Sequence, residues 1–164
     1  MGIQQLATKF TLRPAPLLLS LTLVLSLCPR ARAANPIDES LSTPEAIDQL
    51  EQKAAVATPR DQCFLYTELV HSMTELAGRQ ILQGDTDHAS ATLKKVEHYA
   101  HLIHVNLAAD AKRLKNAEML MHHTTHRLVD YMHAASGDDQ AVLKSTLKQL
   151  DQVQDEMLTQ VFAH

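Results

Sequence analysis

The chain has 164 residues, with 15 Lys and Arg against 19 Asp and Glu and a formal net charge of −4. It lacks the clustered positive charge that holds phosphate, which excludes nucleic acid as a partner and argues against anionic lipid surfaces. Four Gly and two Cys also leave little material for the glycine loops that shape enzyme clefts or for a disulfide framework.

Lys9 and Arg13 precede an apolar run from Leu17 to Leu27, and Ala31-Arg32-Ala33 has the small-x-small form of a cleavage site. Residues 1–33 therefore read as a secretory signal peptide, and the mature chain is expected in the periplasm or outside the cell. The apolar run is well short of the roughly 20 residues that a spanning helix needs, and no second run follows, so no transmembrane segment is expected after cleavage. Leu27 stands where a lipoprotein signal carries a small residue, so Cys28 is not read as a lipid anchor. Cleavage would remove four of the 15 basic residues and none of the 19 acidic ones, taking the net charge from −4 to −8. It would also leave Cys63 as the sole cysteine, so stability must come from packed helices. Cys63 itself reads as a small buried hydrophobe on an apolar face.

Residues 34–43 carry Pro36, Asp38 and Glu39 without an apolar pattern and are expected to form a leader. Thr43-Pro44-Glu45 combines a capping hydroxyl, a proline at the first helical position and an acid in the first turn, which predicts a helix over 44–57. Its apolar stripe of Ile47, Leu50, Ala54 and Ala57 is thin. Thr58-Pro59 repeats the device and starts a helix over 59–83 that ends before Gly84. The apolar positions there, among them Cys63, Phe64, Leu69, Val70, Met73, Ala77 and Ile81, form a stripe wider than one helix–helix seam requires.

Gly84-Asp85 is a stop and a start, because Gly accepts the left-handed conformation that ends a helix. The next 52 residues, Asp85 to Ser136, contain no Gly and no Pro. From Leu93 onward, Val96, Ala100, Ile103, Leu107, Asp110, Leu114, Ala117, Met121, Thr124, Leu128, Tyr131 and Ala135 keep one alternating three-and-four phase. One continuous helix over 86–135 is the expectation. Gly137-Asp138-Asp139 then opens a last helix over 139–162, with Leu143, Leu147, Leu150, Val153, Met157 and Val161 on one side. Thr146-Leu147-Lys148 repeats Thr92-Leu93-Lys94 at a spacing of 54 residues, the mark of a duplicated helical hairpin.

The fold class is all-α, with residues 44–164 in a single domain. At 1.5 Å per residue the 86–135 helix would run roughly 75 Å, about the sum of its neighbours. The 59–83 and 139–162 helices would then lie antiparallel along its two halves, extended helical hairpins around one long central helix with a coiled-coil seam. Asp110, midway along that seam, is expected near Arg60 or the amides that begin the 59–83 helix. The alternative breaks the long helix between Asn106 and Asp110 and gives a compact four-helix up-and-down bundle.

Seven of the chain's ten His fall between His98 and His133, at positions that face away from the seam. Met119, His122, His123 and His126 are three and four residues apart and share one outer patch. Imidazoles at that spacing can chelate Zn, Ni or Cu, and a thioether beside them favours Cu(I). His98 and His101 form a second, sparser pair. Glu68-Leu69-Val70-His71 is the only Glu-x-x-His with the spacing of a di-iron bundle, which needs two. There is no Cys-x-x-Cys-His, no His-Glu-x-x-His and no Gly-x-Ser-x-Gly. No catalytic residue and no organic cofactor site is identified, and the chain is not expected to be an enzyme. Two functions follow: an exported module that acts by helix packing, as a homodimer or with another envelope protein, or an envelope Cu, Ni or Zn binder using its His-rich face.

Overall fold

Each helix begins and ends where the sequence supplies punctuation, except at one place. The computed structural model describes residues 42–107 and 111–163, without the side chain of residue 138. Five helices occupy them: α1 (Pro44–Ala55), α2 (Pro59–Gln83), α3 (Thr86–Asn106), α4 (Leu114–Ala134) and α5 (Gly137–Phe162). No strand occurs among the described residues. Thr43 caps α1 by accepting the Ala46 N–H at 3.2 Å. Gly84 ends α2 at φ 77°, where the Asp85 N–H reaches Gln80 O at 2.9 Å. None of these helices is long and apolar enough to cross a membrane.

α2, α3, α4 and α5 form a four-helix bundle, with α1 laid against α2. The hairpins α2–α3 and α4–α5 stand side by side. Parallel pairs join them: α2 against α4, where His71 meets Thr124 and Glu75 meets Arg127, and α3 against α5, where Glu97 meets Gln149 and His104 meets Glu156. The partners in these four contacts are 52 or 53 residues apart. That offset is one or two residues short of the 54-residue spacing of the sequence repeat. The consecutive helices α3 and α4 lie across the bundle from each other.

The continuous 86–135 helix does not form, and the compact bundle is the layout observed. α3 stops at Asn106, and Leu107 turns to an extended conformation. α4 starts at Leu114 after Arg113, which adopts φ 59° and ψ 25°. A left-handed arginine costs steric energy that glycine would avoid, and tertiary contacts offset it. The Lys112 N–H donates to Arg60 O at 2.8 Å, and the Lys112 ammonium lies 3.1 Å from the Asp61 carboxylate. The Arg113 guanidinium sits 3.4 Å from the centroid of the Phe64 ring. Asp110, residues 1–33 and most of the leader fall outside the described residues. The helix expected over 44–57 ends at Ala55, and the last helix begins at Gly137, two residues early.

With the bundle closed, the wide stripe of α2 is covered within one chain. Leu69, Val70, Met73 and Ala77 are buried against Val96, Ala100 and Ile103 of α3, Met121 and Leu128 of α4, and Leu150, Val153 and Met157 of α5. Cys63 is fully buried and free, and burial pushes its thiol up to about 11. This fits the inert small hydrophobe expected of it.

One polar lock sets the approach of α2 to α4. Arg127 grips Glu75 with two hydrogen bonds, Nε to Oε1 at 2.7 Å and Nη2 to Oε2 at 2.9 Å. The Tyr131 hydroxyl donates to Glu75 Oε2 and accepts from Arg127 Nη2, both at 2.6 Å. The Tyr131 ring lies directly over Gly78, in the space a Cβ there would take. Burial pushes the Glu75 carboxyl up, but the hydrogen bonds from Arg127 and Tyr131 and the guanidinium charge outweigh it and hold the carboxyl below its usual range.

Two outcomes are expected in urea or thermal unfolding. Gly78→Ala destabilises by roughly 1–3 kcal/mol through overpacking against Tyr131, although Ala is about 1 kcal/mol the better helix former. Arg127→Met leaves Glu75 buried and unpaired and costs about 3 kcal/mol, the low end for a buried pair because Arg127 keeps some solvent contact. Because the folded-state pKa of Glu75 is lowered, its contribution is complete above the unfolded value of roughly 4.3 and is lost as pH falls through the folded one. Glu75→Gln should therefore flatten the acid limb of the stability curve.

Candidate metal-binding groove

His122 and His126 sit one turn apart on α4 and turn toward α5, with ring centroids 4.6 Å apart in an edge-to-face pair. They line a groove of about 460 Å³ whose far wall is Asp151, Gln154 and Asp155 of α5. Val129 and Leu147 add apolar lining. The two acids are also one turn apart, so an imidazole pair faces a carboxylate pair. Burial, and then the charge of Asp155, pushes the Asp151 carboxyl up. A bound cation would offset both effects.

Gln154 is placed to orient one ligand. Its Nε2 lies 2.9 Å from His122 Nδ1, while its Oε1 accepts the Thr125 hydroxyl at 3.2 Å. In this rotamer His122 Nδ1 is the acceptor, which puts the proton of the neutral ring on Nε2. Turning the amide would present Oε1 to an Nδ1–H and free Nε2 for a metal, the usual outer partnership of a ligating histidine. Among the described residues no three His, Cys, Asp or Glu side chains are already gathered around one point. A metal held by the imidazole pair would have to draw a carboxylate across the groove.

The outer patch read in the sequence is divided by the bundle. His123 turns to the opposite edge of α4, toward α2, with its ring 5.5 Å from that of His71. Met119 lies between the two edges, 60% exposed, and does not line the groove. On α3, ring contacts pair His98 with Tyr99 and His101 with His104. His104 in turn reaches Glu156 of α5, Nδ1 to Oε2 at 2.6 Å. Glu68 and His71 do not join an inward carboxylate set; His71 Nδ1 instead meets Thr124 Oγ1 at 3.0 Å.

Sequence reasoning missed Asp151, Gln154 and Asp155. Their spacing of three and four was visible, but which helix they would face depends on the α4–α5 packing. Comparison with protein-family models, with curated proteins and with solved structures returns no match for this chain.

A carboxyl whose folded-state pKa is raised binds its proton more tightly in the folded chain. The stability it removes therefore appears as pH rises from the unfolded value of about 3.9 through the folded one. Asp151→Asn should raise the thermal midpoint at pH 7 by roughly 1 °C, a small effect because the group is largely solvated. At pH 3 the two proteins should melt together.

Proposed function

We propose that this chain is an exported helical bundle that binds a divalent transition metal in the α4–α5 groove. His122 and His126 are the primary ligands, and Asp151 or Asp155 supplies a third. The observation that carries this is the opposition of the two pairs, imidazoles on one wall and carboxylates on the other. Mixed nitrogen and oxygen donors suit Zn(II), Ni(II) or Cu(II). Cu(I) loses the thioether that favoured it, because Met119 stands outside the groove. The groove is open to solvent, which suits a protein that loads and releases its ion over a closed structural site, where four fixed ligands are usual.

Association through helix packing drew its support from apolar faces that an extended architecture would leave bare. Those faces are covered inside one chain by α1, α3, α4 and α5, so helix packing with a second copy or an envelope partner is the weaker reading.

Calorimetric titration of the mature protein with Zn, Ni and Cu(II) tests the proposal. Binding in the micromolar range is expected. His122→Ala with His126→Ala should weaken it at least 100-fold and Asp151→Asn about tenfold, about 2.7 and 1.4 kcal/mol, while Met119→Leu should leave it unchanged. Affinity no better than millimolar, or unchanged in the double His variant, rejects the site. A metal-indifferent dimer in the same samples would return association as the function.

A further inference from the structure

We propose that the cavity between α1 and α2 is a binding site for a small zwitterion of the α-amino-acid class, its carboxylate toward Lys53 and its ammonium toward Glu68. The cavity measures about 320 Å³, at the small end of the roughly 300–1,000 Å³ typical of small-molecule sites. α1 supplies Ala46, Gln49, Leu50 and Lys53, and α2 supplies Glu68, His71 and Ser72. It is a different place from the α4–α5 groove and shares no residue with it.

Unused polar groups mark this cavity. Ser72 is only 4% exposed, yet its hydroxyl makes no hydrogen bond with any described residue. Thr74 Oγ1 is the sealed hydroxyl of α2 that lacks a partner; the Ser72 hydroxyl is not sealed and opens onto the cavity. Glu68 is half-buried and takes part in no hydrogen bond or ion pair among the described residues. Lys53 lies near enough for its charge to favour the Glu68 carboxylate, but the two do not meet as a salt bridge. Burial nevertheless pushes the Glu68 carboxyl up, against the pull of Lys53 and Arg113. Its charge is thus left partly uncompensated, and a ligand cation would complete it.

The ligand class follows from the kind and order of these groups. A cation on the α1 wall and an anion on the α2 wall, near enough for each to feel the other's charge, match an anion and a cation held close together on one ligand, which is the head of an α-amino acid. Ser72 and Gln49 offer hydrogen-bonding groups beside that head. Leu50 and Ala46 line the rest of the cavity with hydrocarbon, so the side chain it takes is apolar and short. His71, whose Nδ1 lies 3.0 Å from Thr124 Oγ1, also lines the cavity. A simple amine would leave Lys53 unmatched, and a simple carboxylate would leave Glu68 unmatched.

The test is calorimetric titration of the mature protein, in buffer with a chelator so that metal plays no part, with L-leucine, isoamylamine and 4-methylpentanoate. Saturable binding of leucine is expected, with each truncated analogue at least tenfold weaker, about 1.4 kcal/mol. Lys53→Met and Glu68→Gln should each weaken leucine binding by a similar factor. Lys53 is exposed, and circular dichroism and a thermal midpoint that is not lowered confirm that the variants fold. No saturable leucine binding up to about 10 mM, or either analogue binding as tightly as leucine, overturns the proposal. So does leucine affinity that survives both substitutions. Loss of metal binding in the α4–α5 groove would not bear on these outcomes, because no groove residue is touched.

Discussion

The bundle depends on a charged residue buried between two parallel helices. Neighbouring helices that run the same way gain nothing from their dipoles, and side-chain contacts must hold them together. Between α2 and α4, Glu75 is 4% exposed and is fully engaged by Arg127 and Tyr131. The close fit of Tyr131 on Gly78 brings the backbones near enough for those bonds to form. The other parallel pair is also joined by polar groups, with the Thr146 hydroxyl and Gln149 amide on Glu97 and His104 on Glu156. Apolar stripes can slide by a turn with modest loss, whereas a bidentate guanidinium–carboxylate pair has one register. These polar contacts fix how one hairpin stacks on the other, and leucines and methionines supply the bulk of the burial.

Faces were legible in the sequence, and continuity was not. Every described apolar position of the phase from Leu93 to Ala135 is at least partly buried, including Val96, Ile103, Leu114, Met121 and Leu128. The chain still breaks at Leu107. Residues 107–113 amount to one heptad, so the three-and-four phase leaves α3 and re-enters α4 unchanged. A periodic pattern reports which side of a helix meets the core, and it cannot distinguish seven helical residues from a seven-residue connection. The second cue, the absence of Gly and Pro, failed for a tertiary reason. Arg113 takes the left-handed conformation that glycine usually fills, and Phe64, Arg60 and Asp61 of α2 stabilise the turn. Those partners lie about 50 residues away in sequence, beyond any local rule.

The candidate groove was half visible for a related reason. Spacing on one helix correctly placed His122 beside His126, because residues four apart are neighbours whatever surrounds them. Spacing also grouped His123 and Met119 with them, and here the neighbouring helices decide. An α-helix in a bundle has two flanks, each turned to a different partner. His122 and His126 fall on the α5 flank, His123 falls on the α2 flank, and Met119 stands on the ridge between. The carboxylates opposite come from a helix whose placement depends on α4 starting beside α2 rather than continuing α3, which the three-and-four phase does not report.

α2 concentrates the polar groups that a bundle core ordinarily avoids. Thr67, His71, Ser72, Thr74 and Glu75 are all buried on it, while the buried positions of α3 are Ala89, Leu93, Val96, Ala100 and Ile103. Packed on three sides, α2 has almost no outer face to which polar side chains could be assigned. Each must therefore find a partner or cost stability. Thr67 returns its hydroxyl to Cys63 O, His71 meets Thr124, and Glu75 has its lock. Among the described residues Thr74, Ser72 and Glu68 find no such partner, and Ser72 and Glu68 border the side of α2 that faces α1. A second packed helix there could have sealed that side with apolar residues. Instead α1 is short, thinly apolar and followed by Val56 and Ala57, so the polar groups beneath it remain open to a small molecule from solvent.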